Sequence, residues 1–188
     1  MPAGLFALDA LVKAAHVNVR FAGDVDPGRW LILLDGELGE VEVALEKGVE
    51  AGADDLLETL LLPAAHWALR AALRGELAPP EPLAAAEATL GAIECHTLIA
   101  TLAATDRALK AAQVHLLRLR LATHLHGAGH AVLAGDHADV LAALQAAQAG
   151  AAANVEVRVR AIPRAAGETA AAAAQRPSHG RGLRPFEG

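Results

Sequence analysis

The nine-residue segment DRALKAAQV at positions 106–114 nearly repeats the segment DALVKAAHV at positions 9–17. Two shorter pairs follow in the same order: Gly36-Glu37 with Gly135-Asp136, and the proline of LLLP (Pro63) with that of RAIP (Pro163). The separation between the members of a pair grows only from 97 to 100 positions. Such a long and nearly constant separation indicates two tandem copies of one small domain, not a short-period solenoid.

Composition limits the class of protein. A chain of 188 residues has room for one or two domains, and the repeat favours two. Although 54% of the residues are hydrophobic, they form no run of about 18 and no basic-then-apolar leader, so we expect neither a membrane span nor export. The net charge of −6 and the scarcity of aromatic residues argue against nucleic-acid binding. A single cysteine, Cys95, excludes a disulfide framework or a cysteine cluster within the chain.

The hydrophobic pattern predicts similar elements in both copies. In the first copy, residues 5–15 and 38–52 have the spacing of amphipathic helices, and residues 17–34 form a hairpin around Asp26-Pro27-Gly28. Residues 56–62 have the pattern of a strand. The second copy opens with an additional strand near residues 90–94, which gives the order β-α-β-β-α-β. We therefore expect an α+β fold in which an antiparallel-rich sheet carries its helices on one face.

These elements divide the chain into four segments. Residues 1–74 form the first domain, which has an extra C-terminal helix at 64–73 and no leading strand. Residues 75–89 form a proline-rich linker, residues 90–164 the second domain, and residues 165–188 a flexible tail rich in Ala, Gly and Arg. For the missing strand we expect an upstream segment, or a sheet that lacks or borrows a strand, because an open sheet edge is a liability.

The motifs and their order resemble bacterial microcompartment shell domains over about residues 4–63 and 90–164. The repeated helix segment with its lysine, the hairpin end at Gly135-Asp136 and the closing Ile162-Pro163-Arg164 carry this resemblance. Two copies in tandem resemble the trimeric, pseudohexameric class. The resemblance implies a structural protein without catalytic activity or cofactor, whose homotrimeric discs tile edge to edge with other shell proteins. It also implies a central metabolite pore, a shell location in the bacterial cytoplasm, and encapsulated enzymes as further partners.

The same resemblance assigns roles to individual residues. Lys13, Lys110 and Arg164 match positions that pack along the disc edge. Without the resemblance, Lys13 and Lys110 fit better as ordinary solvated lysines at the ends of amphipathic helices. The turns between the two middle strands match the pore loops. Their residues are Gly23, Asp24, Val25 and Asp26 in the first copy, and Thr123, His124, Leu125, His126 and Gly127 in the second. A ring of carboxylates favours cations, and imidazoles that titrate near pH 6.5 would change the charge of the pore.

The histidines of the second turn also suggest a metal hypothesis. Three copies of His124, His126 and His130 around a threefold axis would offer imidazole ligands. A polar turn that faces water is the simpler interpretation, and we predict no metal ion. An iron–sulfur relative within the family carries a cysteine in the first pore loop, where this chain has Asp26, so an electron-transfer role is disfavoured.

Other functions have less support. Glu37, Glu40, Glu42 and Glu46 fit the charged, solvated face of a helix, and the sequence contains no nucleophile elbow or phosphate-binding glycine loop. The main alternative is a trimeric regulator or sensor that binds a small molecule or a metal, and a gated shell protein lies between the two. Assembly distinguishes them: a shell protein forms sheets at high concentration, whereas a sensor stays a discrete trimer that its ligand stabilises.

Overall fold

The computed structural model describes residues 2–77, 88–121, 127–151 and 155–174. They form two compact units, which divide between Pro63 and Ala64. None of the described helices is long and apolar enough to cross a membrane.

Unit 1 consists of two helices and one hairpin. Its elements are α1 (Pro2–Ala14), β1 (Asn18–Val25), β2 (Arg29–Asp35) and α2 (Leu38–Gly52), followed by a short 3-10 turn at Ala53–Asp55. The helices pack against each other, and Ala7, Leu11 and Ala44 are buried. Among the described residues, β2 pairs only with β1. The strand predicted at residues 56–62 is wrong, since this segment forms no strand in the structure.

Unit 2 contains the complete repeat. Its elements are α3 (Trp67–Leu73), β3 (Thr89–Cys95), α4 (Leu98–Ala111), β4 (His115–Leu121), β5 (Gly129–Gly135), α5 (His137–Ala149), β6 (Val157–Ile162) and α6 (Gly167–Ala174). The sheet order is β4-β5-β3-β6 and every pair is antiparallel. The predicted α+β class and the order β-α-β-β-α-β in the second copy are confirmed. Strand β3 is an inner strand that pairs with both β5 and β6, and it is the described strand that joins β6 to the sheet.

Close packing of helices on the sheet requires small residues in the strands of unit 2. A Cβ atom on Gly91 would lie 2.9 Å from a methyl group of Val140, and one on Gly129 would lie 2.6 Å from the Thr101 hydroxyl. Both partners belong to helices, α5 and α4 respectively. The two glycines therefore set how near each helix lies to the sheet.

The ends of the predicted domains differ from those of the compact units. Helix α3, which the sequence pattern placed in the first domain, contacts α4 and β4 and so belongs to unit 2. The predicted flexible tail begins with a helix, α6, because Ala165 and Ala170 are buried and Arg118 donates a 2.7 Å hydrogen bond to the carbonyl of Ala172. The rest of that tail, and most of the predicted linker, lie outside the described residues.

The repeat is also visible in backbone geometry. The residue after each closing proline has a left-handed conformation, with φ of 50° at Ala64 and 47° at Arg164. A helix begins three residues later in both copies, at Trp67 and at Gly167. Helices α3 and α6 are therefore equivalent elements of the two copies, although sequence comparison alone did not pair them.

Candidate functional site

The first predicted pore turn lies at the end of the β1–β2 hairpin. Gly23, Asp24 and Val25 are the last residues of β1, and Asp26 opens the turn, which Gly28 completes with a φ of 74°. Asp24 is exposed, Asp26 is partly buried, and Val25 is buried within unit 1. Of the two aspartates predicted to line the pore, Asp24 is thus the more exposed; Arg29, the first residue of β2, is exposed at the same end of the hairpin.

The second predicted pore turn joins β4 to β5. Thr123, His124, Leu125 and His126 lie outside the described residues, so their predicted roles stay predictions. Gly127 is described: it is buried and has a left-handed φ of 86°. This backbone conformation favours glycine, which explains why a glycine occupies this position at the end of the turn.

The two predicted edge lysines each pair with the aspartate one helical turn earlier. In α1, Nζ of Lys13 lies 2.6 Å from Asp9, and both side chains are exposed. In α4, Nζ of Lys110 lies 2.5 Å from Asp106, whose side chain is only 5% exposed. Arg164 is exposed, in the left-handed turn before α6. The repeated sequence therefore produces one solvated ion pair and one that is half covered.

The carboxylate of Asp106 is held from two directions. Its Oδ2 accepts from Lys110, and its Oδ1 accepts a 2.8 Å hydrogen bond from the backbone N–H of His66, forty residues earlier. His66 is also the N-cap of α3, where its Nδ1 accepts a hydrogen bond from the N–H of Ala68. Asp106 thereby ties the start of α3 to α4. The sequence repeat identified this aspartate, but it did not predict that its side chain is buried.

The imidazole of His66 must be neutral to act as this cap, because it accepts through Nδ1. Burial lowers the pKa of His66 below its ordinary value of 6.5; the charge of Lys110 lowers it further, while Asp106 opposes both. The unfolded chain therefore takes up a proton first as the pH falls. The stabilisation from the cap is complete above about pH 6.5 and is lost progressively below it, toward the folded pKa.

We expect His66→Ala to lower the free energy of unfolding of unit 2 by about 1 kcal/mol at pH 7, because a helix loses its N-cap. His66→Asn, which restores an uncharged cap, should recover most of this loss and reduce the pH dependence of stability below about pH 6.5. The part that remains comes from groups such as His130, whose pKa is also lowered. Urea unfolding of the wild type and both variants at several pH values measures the two effects. An unchanged pH dependence in His66→Asn would contradict the assignment.

One face of the unit 2 sheet carries a row of charged side chains across its four strands. Arg120 lies opposite His130, His130 opposite Glu94, and Glu94 opposite Arg158. Burial, followed by the charges of Arg120 and Arg118, lowers the pKa of His130, with Glu94 acting against them. Just before β6 begins, hydrogen bonds from Arg158 and His96 lower the pKa of Glu156 to about 2. This face of the sheet is therefore rich in charged side chains, and two of the four in the row are arginines.

The metal hypothesis rested on His130 together with two histidines that are not described. Within residues 2–77, 88–121, 127–151 and 155–174, no three His, Cys, Asp or Glu side chains are placed to bind a metal ion. His130 itself is surrounded by arginine charge.

Arg107 is a structural residue that the sequence analysis missed. Its guanidinium donates to the carbonyls of Ala146 and Ala147, at 3.4 and 2.8 Å, near the C-terminal end of α5. A cation at this end of a helix satisfies carbonyls that lack helical partners. The available signal was the repeat itself, since Arg107 replaces Ala10 inside an otherwise similar segment.

Comparison with known proteins agrees with this duplicated architecture. A family model described as the BMC domain matches residues 1–65 and 89–174. The chain is 34% identical over 137 residues to the bacterial microcompartment shell protein PduT of Citrobacter freundii. The matched region covers 73% of this chain and 72% of that protein. The chain belongs to the bacterial microcompartment shell proteins. The predicted family is confirmed, and with it a place in the microcompartment shell.

Solved structures resemble this shell protein over most of its length. A microcompartment protein from Desulfitobacterium hafniense DCB matches with a TM-score of 0.67 and 28% identity, over 84% of this chain and 87% of that one. The fused permuted hexameric shell protein of the RMM microcompartment matches with a TM-score of 0.52 and 20% identity, over 91% and 76% of the two chains. The second likeness supports the fold alone. Shell proteins of this family are structural and assemble with one another.

Proposed function

We propose that this shell protein forms a homotrimer, a disc of six similar domains that tiles with other shell proteins around encapsulated enzymes and performs no catalysis. The observation that carries the proposal is the duplication. Both copies contain the helix with its aspartate–lysine pair, the hairpin and the second helix, so three chains supply six equivalent building blocks. A closed ring of this kind needs heterologous contacts between unlike surfaces of neighbouring domains.

The charge distribution supports such contacts. Residues 1–63 contain 12 acidic and 4 basic side chains, a formal charge of −8, whereas residues 64–188 contain 10 acidic and 12 basic side chains, a charge of +2. In a trimer of tandem chains each first domain lies between two second domains. The alternation reduces repulsion between neighbours and favours the contact of first with second domains over a contact of two first domains.

Mass in solution and microscopy of the same sample test this proposal. Light scattering at low concentration should give three chain masses, and electron microscopy at raised concentration should show hexagonally tiled sheets. A discrete trimer that never tiles, and whose unfolding temperature rises with a small molecule, would favour the sensor alternative instead. A monomer under all conditions would contradict both trimeric functions.

We propose further that the β1–β2 turn and the β4–β5 turn line a central opening. Three Asp24 carboxylates around one axis would attract cations and oppose anions. Asp24→Asn combined with Asp26→Asn should therefore reduce the preference for cations over anions in conductance across assembled discs. Asp54→Asn with Asp55→Asn, which removes the same charge from the exposed turn after α2, is the matched control. Equal selectivity in the two double variants would place the opening elsewhere.

A further inference from the structure

Helices α1 and α4 are the same element in the two copies, and they bury the same inner face. Ala7 and Ala104 are 8% and 0% exposed, and Leu11 and Ala108, which also correspond, are 3% and 0% exposed. The core contact of this helix is therefore similar in both units.

The outer side of the same helix differs between the copies. In α4 the positions i, i+4 and i+7 are Leu102, Asp106 and Leu109, and all three are buried. Their counterparts in α1 are Leu5, Asp9 and Val12, which we call the α1 stripe. Leu5 is 53% exposed and Val12 is 43% exposed, and the side chain of Asp9 is 57% exposed. The α1 stripe thus exposes two aliphatic side chains, about one helical turn to either side of a carboxylate. Exposed apolar groups arranged in this way are typical of a protein–protein interface.

Unit 2 shows what covers this side of the helix. The backbone N–H of His66 binds Asp106, and the following helix, α3, contacts both α4 and β4. Helix α5 also packs against α4, and Arg107 of α4 donates to carbonyls near the C-terminal end of α5. The covering segment is therefore the one that follows Pro63. The strands without a described counterpart in unit 1 are β3 and β6, and in unit 2 these two strands pack against α5 as well as α4. Helix α3 instead contacts β4, whose counterpart β1 is present in unit 1.

The segment that follows Pro163 has the same local geometry. It begins with a left-handed residue, Arg164, and continues into α6 three residues later. Ala166 occupies the position of His66 and is exposed. The group that binds Asp106 is a backbone N–H, so Ala166 can donate the same hydrogen bond although its side chain differs.

We propose that the α1 stripe binds a second copy of this chain, and that the N–H of Ala166 in that copy donates to Asp9. The inference rests on the proposed trimer. In a ring of alternating domains, the first copy precedes the second within a chain, and the second copy of one chain precedes the first copy of the next. Each domain is then covered by the segment that leaves its predecessor, and three such contacts close the ring.

The first test introduces charge into the stripe. Leu5→Glu combined with Val12→Glu should weaken trimer formation at least tenfold in light scattering over a concentration series, because the contact would bury two carboxylates. The matched control is Leu141→Glu on α5: Leu141 is 46% exposed, and its counterpart in the first copy is already a glutamate, Glu42. All the substituted residues are exposed, so circular dichroism should show wild-type folding for each variant.

The second test joins the two proposed partners covalently. Asp9→Cys combined with Ala166→Cys should give covalent dimers and trimers on a non-reducing gel after mild oxidation, while each single variant should not. The native thiol, Cys95, is buried and does not compete. If the glutamate double variant still forms trimers and the cysteine double variant does not cross-link, this inference is overturned, while the proposed trimer stands. A wild-type monomer would remove the trimer itself, and with it the second copy proposed to cover the stripe.

Discussion

Replacing Asp106 with alanine should lower the free energy of unfolding of unit 2 by about 2–3 kcal/mol, because the partly buried N–H of His66 loses its acceptor and Lys110 loses its partner. The side chain of Asp106 is 5% exposed and accepts hydrogen bonds from two donors, which the substitution leaves without their acceptor. Trp67 begins α3. Its ring lies 5.6 Å from that of His66, and its fluorescence during urea unfolding, in a Trp30→Phe background that leaves one tryptophan, reports on this contact.

Asp9→Ala is the matched control, since Asp9 occupies the equivalent helix position with the same lysine partner. The side chains of Asp9 and Lys13 are both exposed. An exposed ion pair of this kind contributes less than about 0.5 kcal/mol to the free energy of unfolding. The comparison is made at a dilution at which light scattering gives the mass of a single chain, so that the proposed contact of Asp9 with a second copy is absent. Similar costs for the two substitutions would mean that burial of Asp106 contributes little to stability.

This pair of aspartates also shows what the sequence can and cannot predict. The repeat located both residues and their lysines correctly, because the spacing of four along a helix is local. It did not predict which aspartate is buried, because the covering group, His66, lies forty residues away along the chain. The environment of a side chain depends on such distant contacts, and the two copies differ in them.

The strands follow the same rule. In unit 2, alternation and turn residues predicted every element of the β-α-β-β-α-β order, and the structure differs only at their ends. Residues 56–62 carry as strong an apolar pattern, yet they form no strand. Their counterpart, β6, pairs only with β3, and unit 1 shows no such strand among its described residues. An apolar pattern predicts that a segment suits a sheet, whereas the partner strand decides whether it joins one.

The two units should therefore respond unequally to the same core substitution. Leu133 in β5 and Leu34 in β2 are equivalent positions, but Leu133 is fully buried and lies opposite Gly91 of β3. Leu34 is only partly buried, in a strand whose single described partner is β1. We expect Leu133→Ala to cost about 3 kcal/mol, since it removes a buried leucine and leaves a cavity. Leu34→Ala should cost about 1 kcal/mol, because a half-exposed side chain loses less transfer free energy.

Urea unfolding measures both costs separately, because each unit has its own tryptophan. Trp67 reports on unit 2 in a Trp30→Phe background, and Trp30, which lies in β2, reports on unit 1 in a Trp67→Phe background. A large cost for Leu133→Ala with a small one for Leu34→Ala would place the main folding energy of the chain in the second copy. Equal costs would mean that a strand from outside residues 2–63 covers Leu34 in solution. The central position beside β2, which unit 2 fills with β3, would then be occupied in both halves of the shell protein.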